Sequence, residues 1–347
     1  MRTTSIWLDQ CMPGMCIAET LTNRLTAVIV NEGTVLDERI IEKLKYFGYQ
    51  KIRVYIESDL AIEQRTIEAV KSEYSENLLA MKGVLLDISD GKSLDMPTVM
   101  NVSNMMYKRH RNIVGVLACL NQVRESDEYT HSHSLNVAYI CLFIAKWMKL
   151  NSDILIEVLE AGLLHDVGKC LIPSEILNKP AVLNEQEFAE IKKHPVYGYQ
   201  ILSAESDVKP STALAALTHH EKMNGKGYPL GVMDNKIHPY GKIVAVADIY
   251  DAMTSNRVYH SKSSPFQVFS ILEDLAYSSL DPEIVMSFIS TLSGYYVGDR
   301  VLLSDGRYGR LVFINPRSIS RPIVQTENAI INLADIANKE LFISEII

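Results

Sequence analysis

The residues best suited to chemistry in this sequence form one stretch, Gly162-Leu163-Leu164-His165-Asp166-Val167-Gly168-Lys169. An imidazole and a carboxylate stand side by side at the end of an apolar segment, with a glycine and a lysine just beyond. Both are ligands that divalent metals of borderline hardness accept. A lone His-Asp pair carries little weight, so its meaning depends on whether the chain supplies further ligands. Nine histidines are present, and six bear on this question: His131, His133, His165, His194, His219 and His220. His131 and His133 lie where a helix opens. His165-Asp166 closes a helix. His194 precedes Pro195 at a helix end, and His219-His220 closes another helix before a glycine-rich loop. Asp248 sits mid-helix in Ile243-Val244-Ala245-Val246-Ala247-Asp248. A carboxylate in so apolar a setting costs free energy unless it is paired or bound to metal. Singly, each helix-end histidine could instead serve the C-terminal carbonyls of its helix. Together, in one helical region, they read as a metal constellation.

Such ligands need a rigid frame, and the surrounding pattern is helical. From about residue 93 to residue 293 apolar positions recur at helical spacing over 96–123, 133–150, 153–166, 211–220, 241–254, 265–275 and 282–292. Asn184, with Glu187 three residues on, resembles a capping box. Residues 1–56 read as a small α+β unit, with strands over 26–31 and 51–56 and a helix over 37–47. Residues 57–92 read as a helical connector, ending in a turn-rich break at 87–91. After Gly294 the pattern turns to short β segments at 300–304, 309–315 and 322–326. The expected fold class is therefore mainly α: an all-α core at 93–293, the small N-terminal unit, and a small β-rich unit at 294–347.

The composition is that of a water-soluble globular chain: 347 residues, 47% hydrophobic and 22% charged. No apolar run is long enough to span a bilayer. The N-terminal stretch lacks the apolar segment of a secretory signal. Five scattered cysteines fit reduced core thiols, and together these features predict a cytoplasmic setting. A formal net charge of −8 argues against long nucleic acid as a partner. An anionic substrate would need positive charge concentrated locally, from metals and a few lysines and arginines.

The motifs carry a family resemblance. His165-Asp166-x-Gly168-Lys169, with His219-His220-Glu221 and the later Gly225-x-Gly227-Tyr228-Pro229, resembles the HD-GYP subgroup of the HD phosphohydrolase superfamily. Asp127-x-Tyr129-Thr130-x-x-His133-Ser134 matches that subgroup's first motif, and Asp248-x-x-Asp251-Ala252-Met253-Thr254-Ser255-x-Arg257 its last. The resemblance covers about residues 120–290 and implies an HD-type helical core. It further implies hydrolysis of cyclic di-GMP to linear pGpG, and more slowly to GMP, by attack of a metal-bridging hydroxide. His133, His165, Asp166 and Asp248 would hold one metal. Asp166 would bridge to a second, held by His194, His219 and His220. Residues two apart lie about 200° apart around a helix, so only one of His131 and His133 can face the site; the motif selects His133. Fe or Mn is the expected metal. Lys169 would neutralise or protonate near the phosphate, and Arg257 would grip it. Lys226, Gly227 and Tyr228 would shape the substrate mouth, with a purely structural Tyr228 ring as the competing role.

The sequence departs from the subgroup's pattern at four places. Lys222 and Asn224 stand where Arg and Asp are usual, and His260 replaces a frequent Lys or Arg. Three-metal members carry a Glu where this chain has Tyr129, a phenol that ligates poorly near neutral pH, so two metals are expected. Two alternatives stand beside the cyclic di-GMP phosphodiesterase: an enzyme for cyclic GMP–AMP, and a catalytically weak cyclic-dinucleotide sensor or interaction module. A diguanylate cyclase or other signalling partner and a homodimer are compatible with this reading.

Overall fold

The computed structural model describes residues 3–23, 28–55, 67–109, 113, 116, 117, 119, 120, 129–255 and 263–347. In the N-terminal unit, β1 (Thr3–Trp7) pairs antiparallel with β4 (Lys51–Tyr55), and β2 (Leu21–Thr22) with β3 (Val28–Val30). Helix α1 (Glu38–Tyr46) begins where the Asp37 carboxylate accepts a 2.6 Å hydrogen bond from the Ile40 amide. Its buried Ile40 and Leu44 close a small core with Ile29, Leu36, Ile52 and Val54.

The helical body runs from α2 (Ile67–Ser89) and α3 (Met96–Lys108) to α4 (Tyr129–Trp147) and α5 (Ser152–Leu164). It continues through α6 (Ser174–Leu177), α7 (Glu185–Ile191), α8 (His194–Ser203), α9 (Pro210–Thr218), α10 (Pro239–Thr254), α11 (Pro265–Ala276) and α12 (Pro282–Gly294). Helix α4 is its axis. Every residue from 135 to 145 is buried, as expected of a helix that is apolar all round. It packs on α5 and α10, which carry ligand motifs, and on α12. Helix α7 starts with the expected capping box, Asn184 and Glu187 exchanging side-chain and backbone bonds.

The C-terminal segment forms a five-stranded antiparallel sheet in the order β8-β7-β6-β5-β9. Its strands are β5 (Arg300–Leu303), β6 (Tyr308–Asn315), β7 (Ser318–Thr326), β8 (Ile330–Asn332) and β9 (Ile343–Ile346). Val301, Leu311, Ile319 and Val324 from this sheet join the same continuous core as the helices. The mainly α class with flanking β units is as expected.

Local differences have identifiable causes. The break expected from residue 87 begins later, because α2 continues to Ser89. Ile88 is buried, and the Ser89 hydroxyl bonds the Leu85 carbonyl, so the helix stops only at Asp90-Gly91. Strand β7 begins four residues before the expected Pro322. Proline lacks the amide a ladder needs, but here it sits where the β6–β7 register shifts, a place that tolerates it. Strands β8 and β9 add to the three expected. Part of the expected 26–31 strand, the start of the connector helix and much of 110–128 lie outside the described residues. Among the described residues, no helix is long and apolar enough to cross a membrane.

Candidate metal centre

Five segments converge on one point. The first turns of α4 bring His133. His165 caps the C-terminus of α5, and Asp166 follows it into a short 3₁₀ turn, Val167–Leu171. His194 opens α8, so it stands at the start of a helix. His219 caps α9 with His220 beside it, and Asp248 lies in the middle of α10.

The donor atoms fall into two groups with facing ligands: Asp166, His194, His219 and His220 in one, and His133, His165 and Asp248 in the other. Asp166 stands between them. Its Oδ1 is 3.3 Å from His194 Nε2 and 3.9 Å from His219 Nε2. Its Oδ2 is 3.2 Å from His165 Nε2 and 3.7 Å from His133 Nε2. His133 Nε2 also lies 3.1 Å from Asp248 Oδ1.

Three of the histidines are oriented by one device. The Nδ1 atoms of His165, His194 and His219 each bond the carbonyl three residues earlier, at Gly162 (2.8 Å), Ile191 (2.7 Å) and Ala216 (2.7 Å). These are carbonyls a helix end leaves without an amide partner. Bonding them fixes each ring with Nε2 turned inward.

The electrostatics of His194, His219, His220 and Asp166 suit metal ligation. Burial favours the neutral imidazole, lowering the pKa of His194, driving His219 well down, and bringing His220 to about 4. Burial also opposes charge on Asp166, yet His165, Lys169 and His194 outweigh it and hold the carboxyl well below its ordinary range. In His133 the neighbours win as well and favour the charged imidazole, so an incoming metal must displace a proton there. Burial disfavours its charge, but Asp248 and Asp251 prevail and raise its pKa to about 9.

The residues present fit divalent metal binding. His165 Nε2 and Asp166 Oδ1 are buried with no well-formed hydrogen bond, although other donors stand close by. A buried polar atom without a partner carries a desolvation cost of about 1–3 kcal/mol. A cation held by imidazole and carboxylate would remove that cost at both atoms.

Three of the other expected site residues lie beside this centre. Lys169 Nζ is 2.5 Å from Asp166 Oδ2, reached through the 3₁₀ turn rather than a full α-helical turn. The Tyr228 ring stacks on His220 with centroids 4.7 Å apart, and its amide donates to the His220 carbonyl. Gly227 lies against the backbone of Glu221 and Lys222, where a Cβ would come within 2.4 Å of Glu221 Cα. The Lys226 side chain is exposed in the same loop. Arg257 and His260 lie outside the described residues, as do the side chains of Tyr129 and His131.

Two positions gain roles that sequence reasoning did not assign. Asp251 is fully buried, and its Oδ2 lies 2.9 Å from His133 Nδ1. It thus orients His133 from outside the ligand set, a task that backbone carbonyls perform for three other histidines. The signal was its place three residues after Asp248, on the same helix face. Replacing Asp251 by Asn is expected to weaken metal affinity about 10–100-fold, read by competition with a chelator. Glu221, also buried, accepts three backbone amides, from Leu230 (2.6 Å), Gly231 (3.1 Å) and Val232 (3.1 Å). It clamps the loop beside the centre.

Comparison with known proteins agrees with this geometry. The HD domain family model matches residues 101–284. The chain belongs to the HD domain family, and the HD-GYP resemblance drawn from its motifs is borne out. A cyclic di-GMP phosphodiesterase of Pseudomonas aeruginosa is 34% identical over 217 residues, covering 62% of this chain and 51% of that protein. A cyclic di-GMP phosphodiesterase of Thermotoga maritima is 39% identical over 176 residues, covering 50% and 48%. The 3'3'-cGAMP-specific phosphodiesterase 1 of Vibrio cholerae is 33% identical over 180 residues, covering 51% and 41%. The chain spans about half the length of the first two of these relatives. Among solved structures, an HDG"Y"P protein of Bdellovibrio bacteriovorus, Bd1817, shares the fold with a TM-score of 0.52 at 14% identity, covering 84% of this chain and 99% of that one.

Proposed function

We propose that this protein is a metal-dependent phosphodiesterase that opens cyclic di-GMP to linear pGpG, and converts it more slowly to GMP. The observation that carries the reading is Asp166, whose two oxygens face two separate groups of histidine ligands. This supports two divalent ions, Fe or Mn by the family resemblance. His133, His165, Asp166 and Asp248 would hold one; Asp166, His194, His219 and His220 the other. When bound, such a pair supplies an acidified water and relieves charge on the phosphoryl oxygens.

The chain's own residues do the rest. Asp166 fixes the spacing of the two ligand groups. Asp251 holds His133 in the rotation that presents Nε2. Lys169, about one-third exposed, is placed to turn its ammonium from Asp166 toward an incoming phosphate. Arg257 would grip the other phosphate oxygens. The loop of Lys226, Gly227 and Tyr228, clamped by Glu221, shapes the mouth through which the dinucleotide enters. We place the protein in the cytoplasm, where a diguanylate cyclase would supply its substrate, and it would work as a monomer or homodimer.

The test is product analysis of cyclic di-GMP and cyclic GMP–AMP incubated with the protein under Fe, Mn or Mg. Cyclic di-GMP should give pGpG first, with Fe or Mn, and the His165→Ala protein should give none. Tight binding without turnover under reducing, metal-replete conditions would make the protein a sensor. Faster cleavage of the mixed dinucleotide would move it to the cyclic GMP–AMP enzymes.

A further inference from the structure

A cleft of about 260 Å³ lies away from the metal centre, between the end of α1 and the C-terminal sheet. Tyr46, Arg300, Tyr308, Arg310 and Gln325 line it, together with the backbone near Gly309 and Thr326. No carboxylate is among these lining residues. The sheet register explains the arrangement. Arg300 on β5 faces Arg310 on β6, and Arg310 faces Gln325 on β7, so three polar side chains stand in one row. Tyr308, two residues before Arg310, shares that face and is 59% exposed.

Directly opposed side chains on paired strands have Cβ atoms about 5 Å apart, and like charges there repel. Among the described residues, neither arginine has an ion-pair partner. The nearby Asp299 is buried and pairs with Arg39 at 3.1 Å. Arg310 is held in place: its Nη1 donates to the Gly298 carbonyl at 2.6 Å, and its guanidinium lies over the Tyr46 ring, 4.4 Å from the centroid. The Tyr46 hydroxyl in turn donates to Gln325 Oε1 at 2.8 Å. One cation is therefore pre-positioned at the cleft floor, a second stands opposite it, and an aromatic face lies open at the edge. Arginine forks match phosphate geometry, and exposed tyrosine rings stack on bases. The volume falls below the roughly 300–1,000 Å³ of sites for drug-sized ligands, which suits a mononucleotide better than a dinucleotide.

We propose that the cleft formed by Tyr46, Arg300, Tyr308, Arg310 and Gln325 binds a nucleoside monophosphate, phosphate on the arginines and base on Tyr308. Because Tyr46 belongs to the N-terminal unit, the bound nucleotide touches both ends of the chain.

The test is isothermal titration of the full, metal-loaded chain with GMP, guanosine and inorganic phosphate. GMP binds, guanosine does not, and Arg300→Gln and Arg310→Gln each weaken GMP about tenfold or more. Arg300 is exposed, so its variant folds normally even if Arg310→Gln disturbs the sheet. Absence of GMP binding overturns the proposal. So does inorganic phosphate binding as tightly as GMP, and so does GMP binding that survives Arg300→Gln but vanishes in Asp166→Ala, which places the nucleotide at the metal centre.

Discussion

Replacing Asp166 by alanine is expected to lower cyclic di-GMP turnover at least about 10³-fold, roughly 4 kcal/mol of lost transition-state stabilisation. Most single ligands serve one ion. Among the described residues, Asp166 alone sends one oxygen toward His194 and His219 and the other toward His133 and His165. Its loss therefore removes a ligand from both groups and leaves Lys169 beside the remaining imidazoles without the carboxylate it now pairs with. Metal analysis of the purified variant should show less than one ion per chain, against the two proposed for the parent. Retention of two ions, with turnover within tenfold of the parent, would refute the bridging role.

Among alanine substitutions at the described glycines, Gly168→Ala is expected to be the most damaging. A Cβ at this position would stand 2.0 Å from the His194 carbonyl oxygen and 2.4 Å from the Gly198 amide nitrogen. Both are backbone atoms of a helix, so neither can swing aside as a side chain would. Overpacking of this kind costs about 1–3 kcal/mol, and more where backbone must move. We expect about 3 kcal/mol or more, with a clear fall in melting temperature. Because the displaced turn carries Asp166 and the displaced helix carries His194, metal content should fall along with stability. A variant that melts within a degree or two of the parent and keeps its metal would show that the 3₁₀ turn and α8 can separate freely.

The residues that gather at the candidate centre stood out in the sequence because they sit at helix ends or in apolar helices, where His and Asp are conspicuous. His165-Asp166, His219-His220 and Asp248 were all of this kind. The centre's support was not legible, because support is a matter of tertiary contact. The sequence places Asp251 one turn beyond Asp248, but only the packing of α10 against α4 brings it to His133. The division of Asp166 between two ligand groups likewise exists only after five segments meet. The helices read well from periodicity. The sheet read less completely: β9 reaches β5 across some forty positions, a pairing that no local pattern records. Short strands such as Ile330–Asn332 gain their structure from the neighbour they join.

The convergence of those five segments has a consequence for folding. The donors run from position 133 to position 248, so ions held there act as a cross-link over much of the helical body, closing loops that an unfolded chain leaves open. Binding that is confined to the folded form stabilises it by mass action, about 2.7 kcal/mol at a free ion concentration one hundred times the dissociation constant. With the proposed ions bound, the heat stability of this chain would double as a gauge of metal supply: a cell short of the ion would hold a softer protein.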